Sequence, residues 1–101
     1  MSYEYFTKIP KNKCLKVETI VNTLKKDKIY NILSFSDNKI LLKNKNKLKT
    51  YGDLPDIELI LEKNEIIITI YNAARDERNY FVNSIEFILQ SIGIIVIFEE
   101  E

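Results

Sequence analysis

DIELILEKNEIIITIY, residues 56–71, is the stretch on which the fold turns. Ile57, Leu59 and Leu61 alternate with Glu58, Ile60 and Glu62, the period of two that sends successive side chains of a strand to opposite faces. The run that follows is apolar and β-branched. Only Lys63 and Asn64 stand between the two runs, and a two-residue connection between strands predicts a tight antiparallel hairpin. A sheet buried on its Ile57, Leu59 and Leu61 face is therefore the centre from which the rest of the chain can be read.

Upstream, SYEYFTKI is rich in aromatic and β-branched residues, stops at Pro10 and reads as a first strand. In CLKVETIVNTLKKDK the period changes. Val17, Ile20, Val21 and Leu24 fall at i, i+3, i+4 and i+7, one apolar stripe of a helix, with Lys25, Lys26 and Lys28 at the end where cations suit the dipole. IYNILSF is a strand, SDNK a turn and ILLK the start of its hairpin partner, whereas NKNKLKTYGDLP reads mostly as loop. Beyond the first hairpin, Phe81, Ile85, Ile88, Leu89 and Ile92 form a second helical stripe that ends at Gly93, a suitable residue just past a helix. IIVIF is then expected to be a buried strand, followed by the acidic residues 99–101. The order strand, helix, four strands, helix, strand resembles an elaborated ferredoxin-like α+β fold. That implies a two-layer sandwich, with an antiparallel or mixed sheet of about six strands and both helices on one face, in a single domain over residues 1–101.

A chain of 101 residues is long enough for one self-sufficient core. The opening MSYEYFTKIP lacks a basic start followed by an apolar stretch, and the longest apolar run, IGIIVIF, is far short of the roughly 20 residues a bilayer requires. Neither a signal peptide nor a membrane partner is expected. Cys14 is the one cysteine, which excludes an internal disulfide and suits a reducing compartment, so the expected location is the cytoplasm. The net charge of zero hides a division. Residues 1–50 hold twelve lysines against four acids, while residues 51–101 hold Lys63, Arg75 and Arg78 against eleven acids. Such asymmetry points to an electrostatic partner, unless the fold interleaves the halves in space.

Catalytic equipment is missing from the composition. There is no histidine, the usual general base near neutral pH and the commonest zinc ligand. Cys14 thus lacks a histidine to activate it and reads as a small hydrophobe. Gly52 and Gly93 are the only glycines and lie too far apart to form a phosphate-cradling loop. Asp53 and Asp56 lack calcium-loop spacing and read as loop acids. The expectation is a binding protein, not an enzyme, with no cofactor and no metal.

The candidate partner-binding residues are Asp53, Asp56, Glu58, Ile60, Glu62, Tyr71, Arg75, Arg78, Tyr80 and Glu99. Glu58, Ile60 and Glu62, flanked by Asp53, Asp56 and the acidic terminus, set carboxylates around an apolar centre. That pattern speeds the approach of a basic protein, with anchors such as Tyr71 and Tyr80 supplying affinity. Its bland counterpart is a solvated surface that keeps the sheet soluble. YNAARDERNYF, residues 71–81, holds both arginines of the chain. Arg75 and Arg78 serve either an interface or local pairs with Asp76, Glu77 or Glu4, and Asp76 or Asn79 caps the helix if the arginines precede it. RNA binding is the alternative, with Tyr3, Tyr5 and Tyr71 as stacking residues and Lys8, Lys11 and Lys13 nearby. Glu58 and Glu62 on the same face would repel phosphate, so nucleic acid is disfavoured. A small regulatory ligand-binding or self-pairing domain is a third class.

In size and layout, DIELILEKNEIIITIYN, VNSIEFILQSIG and IIVIFEEE together resemble the immunity proteins of bacterial contact-dependent growth inhibition and related polymorphic toxin systems. The resemblance implies stoichiometric inhibition, in which the chain binds one cognate toxin domain, often a nuclease, and blocks it. For a basic nuclease the acidic half would occupy the ground where nucleic-acid phosphate lies.

Overall fold

A computed structural model describes residues 2–10, 13, 15–45, 55–71 and 73–100. Along the chain these form β1 (Ser2–Lys8), α1 (Val17–Lys26), β2 (Tyr30–Phe35), β3 (Lys39–Asn44), β4 (Ile57–Leu61), β5 (Glu65–Tyr71), α2 (Arg75–Ser91) and β6 (Glu99–Glu100). The strands make one sheet in the order β2-β3-β4-β5-β1-β6, and every neighbouring pair runs antiparallel. The architecture is α+β, an open six-stranded antiparallel sheet with two helices.

The 56–71 hairpin has the expected form. Glu62 N–H donates to the Glu65 carbonyl at 2.8 Å across the two-residue Lys63-Asn64 turn, and Leu61 pairs with Ile66, Leu59 with Ile68 and Ile57 with Ile70. That register puts Ile57, Leu59 and Leu61 on the same side of the sheet as Ile66, Ile68 and Ile70. Tyr5 of β1 joins the row beside Ile68, and Ile40 and Leu42 of β3 continue it beside Leu59 and Ile57. Ile40, Leu42, Ile57, Ile66, Ile68 and Ile70 are fully shielded from water there. The helices complete the core with Val17, Ile20, Val21 and Leu24 from α1 and Phe81, Val82, Ile85, Ile88 and Leu89 from α2.

The helix ends explain how the chain turns back to the sheet. At the close of α1 the Asp27 carboxylate accepts from Ile29 N–H at 3.2 Å, which stops the helix and starts β2. At the close of α2, Gly93 takes φ +86°, Gly93 N–H donates to the Gln90 carbonyl and Ile94 N–H reaches back to Leu89. This paired arrangement satisfies the last carbonyls and needs a left-handed residue at its centre, which glycine supplies without strain.

The sequence expectation fails at residues 94–98. The segment alternates in burial, with Ile94 and Phe98 inside and Ile95 and Ile97 outside, yet it joins no ladder, and pairing with β1 begins only at Glu99 and Glu100. The Phe98 N–H is taken by the Glu86 carboxylate of α2 at 2.8 Å. Cys14, Gly52 and Asp53, together with most of the expected loop, lie outside the described residues.

Candidate protein-binding face

The side of the sheet opposite the core is not polar at its centre. Ile60 pairs with Ile67 and Ile67 with Phe6, so a single rung crosses β4, β5 and β1 with three apolar side chains that remain half-buried. Leu41 extends the patch onto β3. The charged residues stand around it. Lys39 pairs across from Ile60, Glu58 lies opposite Leu41, and Glu99 lies beyond Phe6. Glu62 and Glu65 close the hairpin end.

Glu58 is the best-determined of these. Tyr71 Oη donates to one of its oxygens at 2.7 Å, and the Lys39 ammonium sits 3.0 Å from the other. Its side chain is only 15% exposed, so its charge is largely spent inside the face and is not offered outward. Burial, the largest influence, pushes the Glu58 carboxyl up, but the two donors together overcome it and hold the group below the usual glutamate value. Burial, followed by the bond to Glu58, pushes the Tyr71 phenol up to about 12.

Asp56 faces inward and ties strands together. Its carboxylate accepts from Asn44 N–H at 2.9 Å, its own N–H donates to the Leu42 carbonyl, and its carbonyl accepts from Tyr71 N–H. It is 8% exposed, and its work is to join β3, β4 and β5 at one end of the sheet. Asp53 lies outside the described residues.

The arginine pair divides. Both residues lie within α2, whose N-cap is Ala74, so neither Asp76 nor Asn79 caps the helix. Asp76 and Glu77 sit in the first turn, where the dipole favours acids. Arg78 donates to the Ala73 carbonyl at 2.9 Å and to Tyr5 Oη at 3.3 Å, and its guanidinium lies 3.7 Å from the centre of the Tyr3 ring. The hydrogen bond to Tyr5 is the main reason its pKa is raised. Arg78 thus locks the start of α2 to β1 through a planar contact that lysine could not make. Arg75 and Tyr80 are exposed on the same helix; Tyr80 borders a shallow cleft shared with Ile29 and Phe87.

The structure therefore brings together Glu58, Ile60, Glu62, Tyr71 and Glu99 on one side of the sheet and sets Arg75, Arg78 and Tyr80 apart on α2. Tyr3 and Tyr5 lie on the core side of β1, opposite Tyr71, so the three tyrosines make no common stacking surface. Sequence reasoning missed Phe6, Leu41 and Ile67. Phe6 and Leu41 carried a usable signal, since each alternates with neighbours of the opposite face. Ile67 carried one too, since it shares its side with Glu65, Thr69 and Tyr71 while Ile66, Ile68 and Ile70 fill the other.

Among the described residues no group of acids or cysteines could hold a metal ion, and no helix is long and apolar enough to cross a membrane. No protein-family model matches the sequence, and neither the curated proteins nor the solved structures include one with significant similarity.

Proposed function

We propose that the chain is the immunity partner of a bacterial toxin domain, an inhibitor that works by stoichiometric binding through the outer side of its sheet. The observation that carries this reading is the Ile60-Ile67-Phe6 rung, three apolar side chains in register on adjacent strands, with Lys39 at one end, Glu99 at the other, and Glu62, Glu65 and Lys8 beside it. An apolar centre with a charged rim is the layout in which a few anchors supply affinity and the rim selects the partner. Glu62 and Glu99, both exposed, favour a basic partner, as a nuclease surface is. The inhibitor acts in the cytoplasm and without catalysis.

The reading extends to the architecture. The order β6-β1-β5-β4 with alternating sense supports reading the sheet as ferredoxin-like, with β2 and β3 as a hairpin added at its β4 edge. The contact between α1 and α2 and their shared core support placing both helices on one face as a two-layer sandwich.

The test is co-expression with the C-terminal domain encoded by the gene immediately upstream, read as growth rescue and by calorimetry. Rescue with one-to-one binding is expected, and Ile67→Lys should weaken that binding by roughly a hundredfold or more, the range of a lost interface anchor. Absence of both rescue and heat with the wild-type chain would reject the assignment.

A further inference from the structure

One rung of the sheet runs from a cation to an anion. Lys39 of β3 pairs with Ile60 of β4, Ile60 with Ile67 of β5, Ile67 with Phe6 of β1, and Phe6 with Glu99 of β6. These five side chains stand in line on the outer side of the sheet. Lys39 and Glu99 are exposed, and the three apolar residues between them are half-buried. In the next row, two residues along each strand, Glu62, Glu65 and Lys8 lie side by side. There the charges run the other way, with the acid on the β4 flank and the cation on β1.

Both rows thus change sign across β5. A two-fold axis parallel to β5 and just outside Ile67 lays the sheet of a second copy on this face, reverses the order of its strands and keeps each row level with itself. Lys39 then faces Glu99 of the second copy, Ile60 faces Phe6, Ile67 faces Ile67, and Glu62 faces Lys8. The two Glu65 carboxylates meet at the axis with a Lys8 on either side, which offsets their repulsion. The match is best at the centre, because sheets packed face to face cross by about 30°. On the other side of the rung Glu58 faces Glu4, and the Glu58 charge is already met by Lys39 and Tyr71. A two-fold interface requires a patch to complement itself, and a face whose charges change sign across the axis does so. A partner of one charge sign would answer only part of them.

We propose that two copies of this chain pack face to face across the Ile60-Ile67-Phe6 rung, about a two-fold axis along β5. The pairing stands without the inhibitor reading. Where both hold, the second copy covers the face that the toxin domain uses, and the toxin domain must displace it. An apolar centre only three side chains wide is small for an interface, so the dimer is weak and reversible.

Sedimentation of the full chain from about 1 µM to 1 mM tests it, a span that covers weak association. A reversible monomer–dimer equilibrium is expected. Ile67→Lys sets two cations against each other at the axis and should weaken the dimer by roughly tenfold or more. Among the described residues neither Lys8 nor Glu62 makes an ion pair, so exchanging their charges should leave the folded monomer and its circular dichroism unchanged. Lys8→Glu and Glu62→Lys should each weaken the dimer several-fold, and the double variant should restore it. The inference is overturned by a monomer at every concentration, by a dimer indifferent to a folded Ile67→Lys chain, or by failure of the double variant to restore pairing. A chain that stays monomeric yet binds the toxin domain would reject the second copy and leave the inhibitor reading in place. A dimer with neither rescue nor toxin binding would do the reverse.

Discussion

Glu58 holds two neighbours at once, Tyr71 through a 2.7 Å bond and Lys39 through a 3.0 Å ion pair, and its ionised form is the one that both stabilise. Its folded pKa lies below the ordinary 4.5, so its contribution is complete above that value and is lost as pH falls through the folded one. Tyr71 works in the opposite sense. With its phenol raised from 10 to about 12, its contribution is complete below 10 and is lost between 10 and 12. Glu58→Gln should cost about 1 kcal/mol at neutral pH, a charge-assisted bond discounted for partial exposure, and its stability should fall less steeply in acid than that of the wild type. Tyr71→Phe should flatten the alkaline limb. Urea unfolding across the pH range reads both, and parallel acid limbs for Glu58→Gln and wild type would contradict the assignment. The outward direction of Glu58 was legible from alternation alone. Its partners were not, because Lys39 and Tyr71 are distant in sequence and meet it only through strand register.

At the scale of elements, local periodicity served both helices well, and the same rule misjudged the chain that follows α2. IIVIF has the composition of a buried strand, yet the chain meets β1 only at Glu99, and Phe98 N–H is held by Glu86 of α2. The helix stop itself was legible, since Gly93 stands one position past the last apolar stripe residue. Gly93→Ala should cost about 1–2 kcal/mol, the strain of a left-handed non-glycine residue. Steric conflict with the described residues adds little, because among them the nearby atom is the flexible end of Lys13. Thermal unfolding checks this, and an unchanged melting temperature would show that the turn relaxes into another form. The α2 N-terminus teaches the reverse lesson. Two arginines beside a helix start look misplaced by dipole rules, and the conflict resolves once Arg78 is seen to reach Tyr3, Tyr5 and the Ala73 carbonyl.

Across the whole molecule, the core is a continuous row from β1 to β3 with Ile68 at its middle, between Tyr5 and Leu59 and fully shielded. Ile68→Ala should destabilise the protein by about 3 kcal/mol, the lost burial plus the cavity left behind. That is a large share of the roughly 5–15 kcal/mol that holds a domain folded. Urea titration should show a lower midpoint with an unchanged slope, and a loss below about 1 kcal/mol would mean that the row is not the centre of the core. The charge division along the chain is partly undone at this scale. β1, from the lysine-rich half, lies between β5 and β6 of the acidic half, and Lys39 neutralises Glu58 across β3 and β4. By itself the sequence determined the two helices, the first five strands and their order, the core side of β4 and the stops of the helices, because periods of 2 and 3.6 and the backbone freedom of glycine act over a few residues. Tertiary structure alone decided the place of β1 between β5 and β6, the partners of Arg78, and the failure of residues 94–98 to join a ladder. Those outcomes depend on which distant groups compete for the same hydrogen bonds and the same buried area, and local periodicity carries no record of that competition.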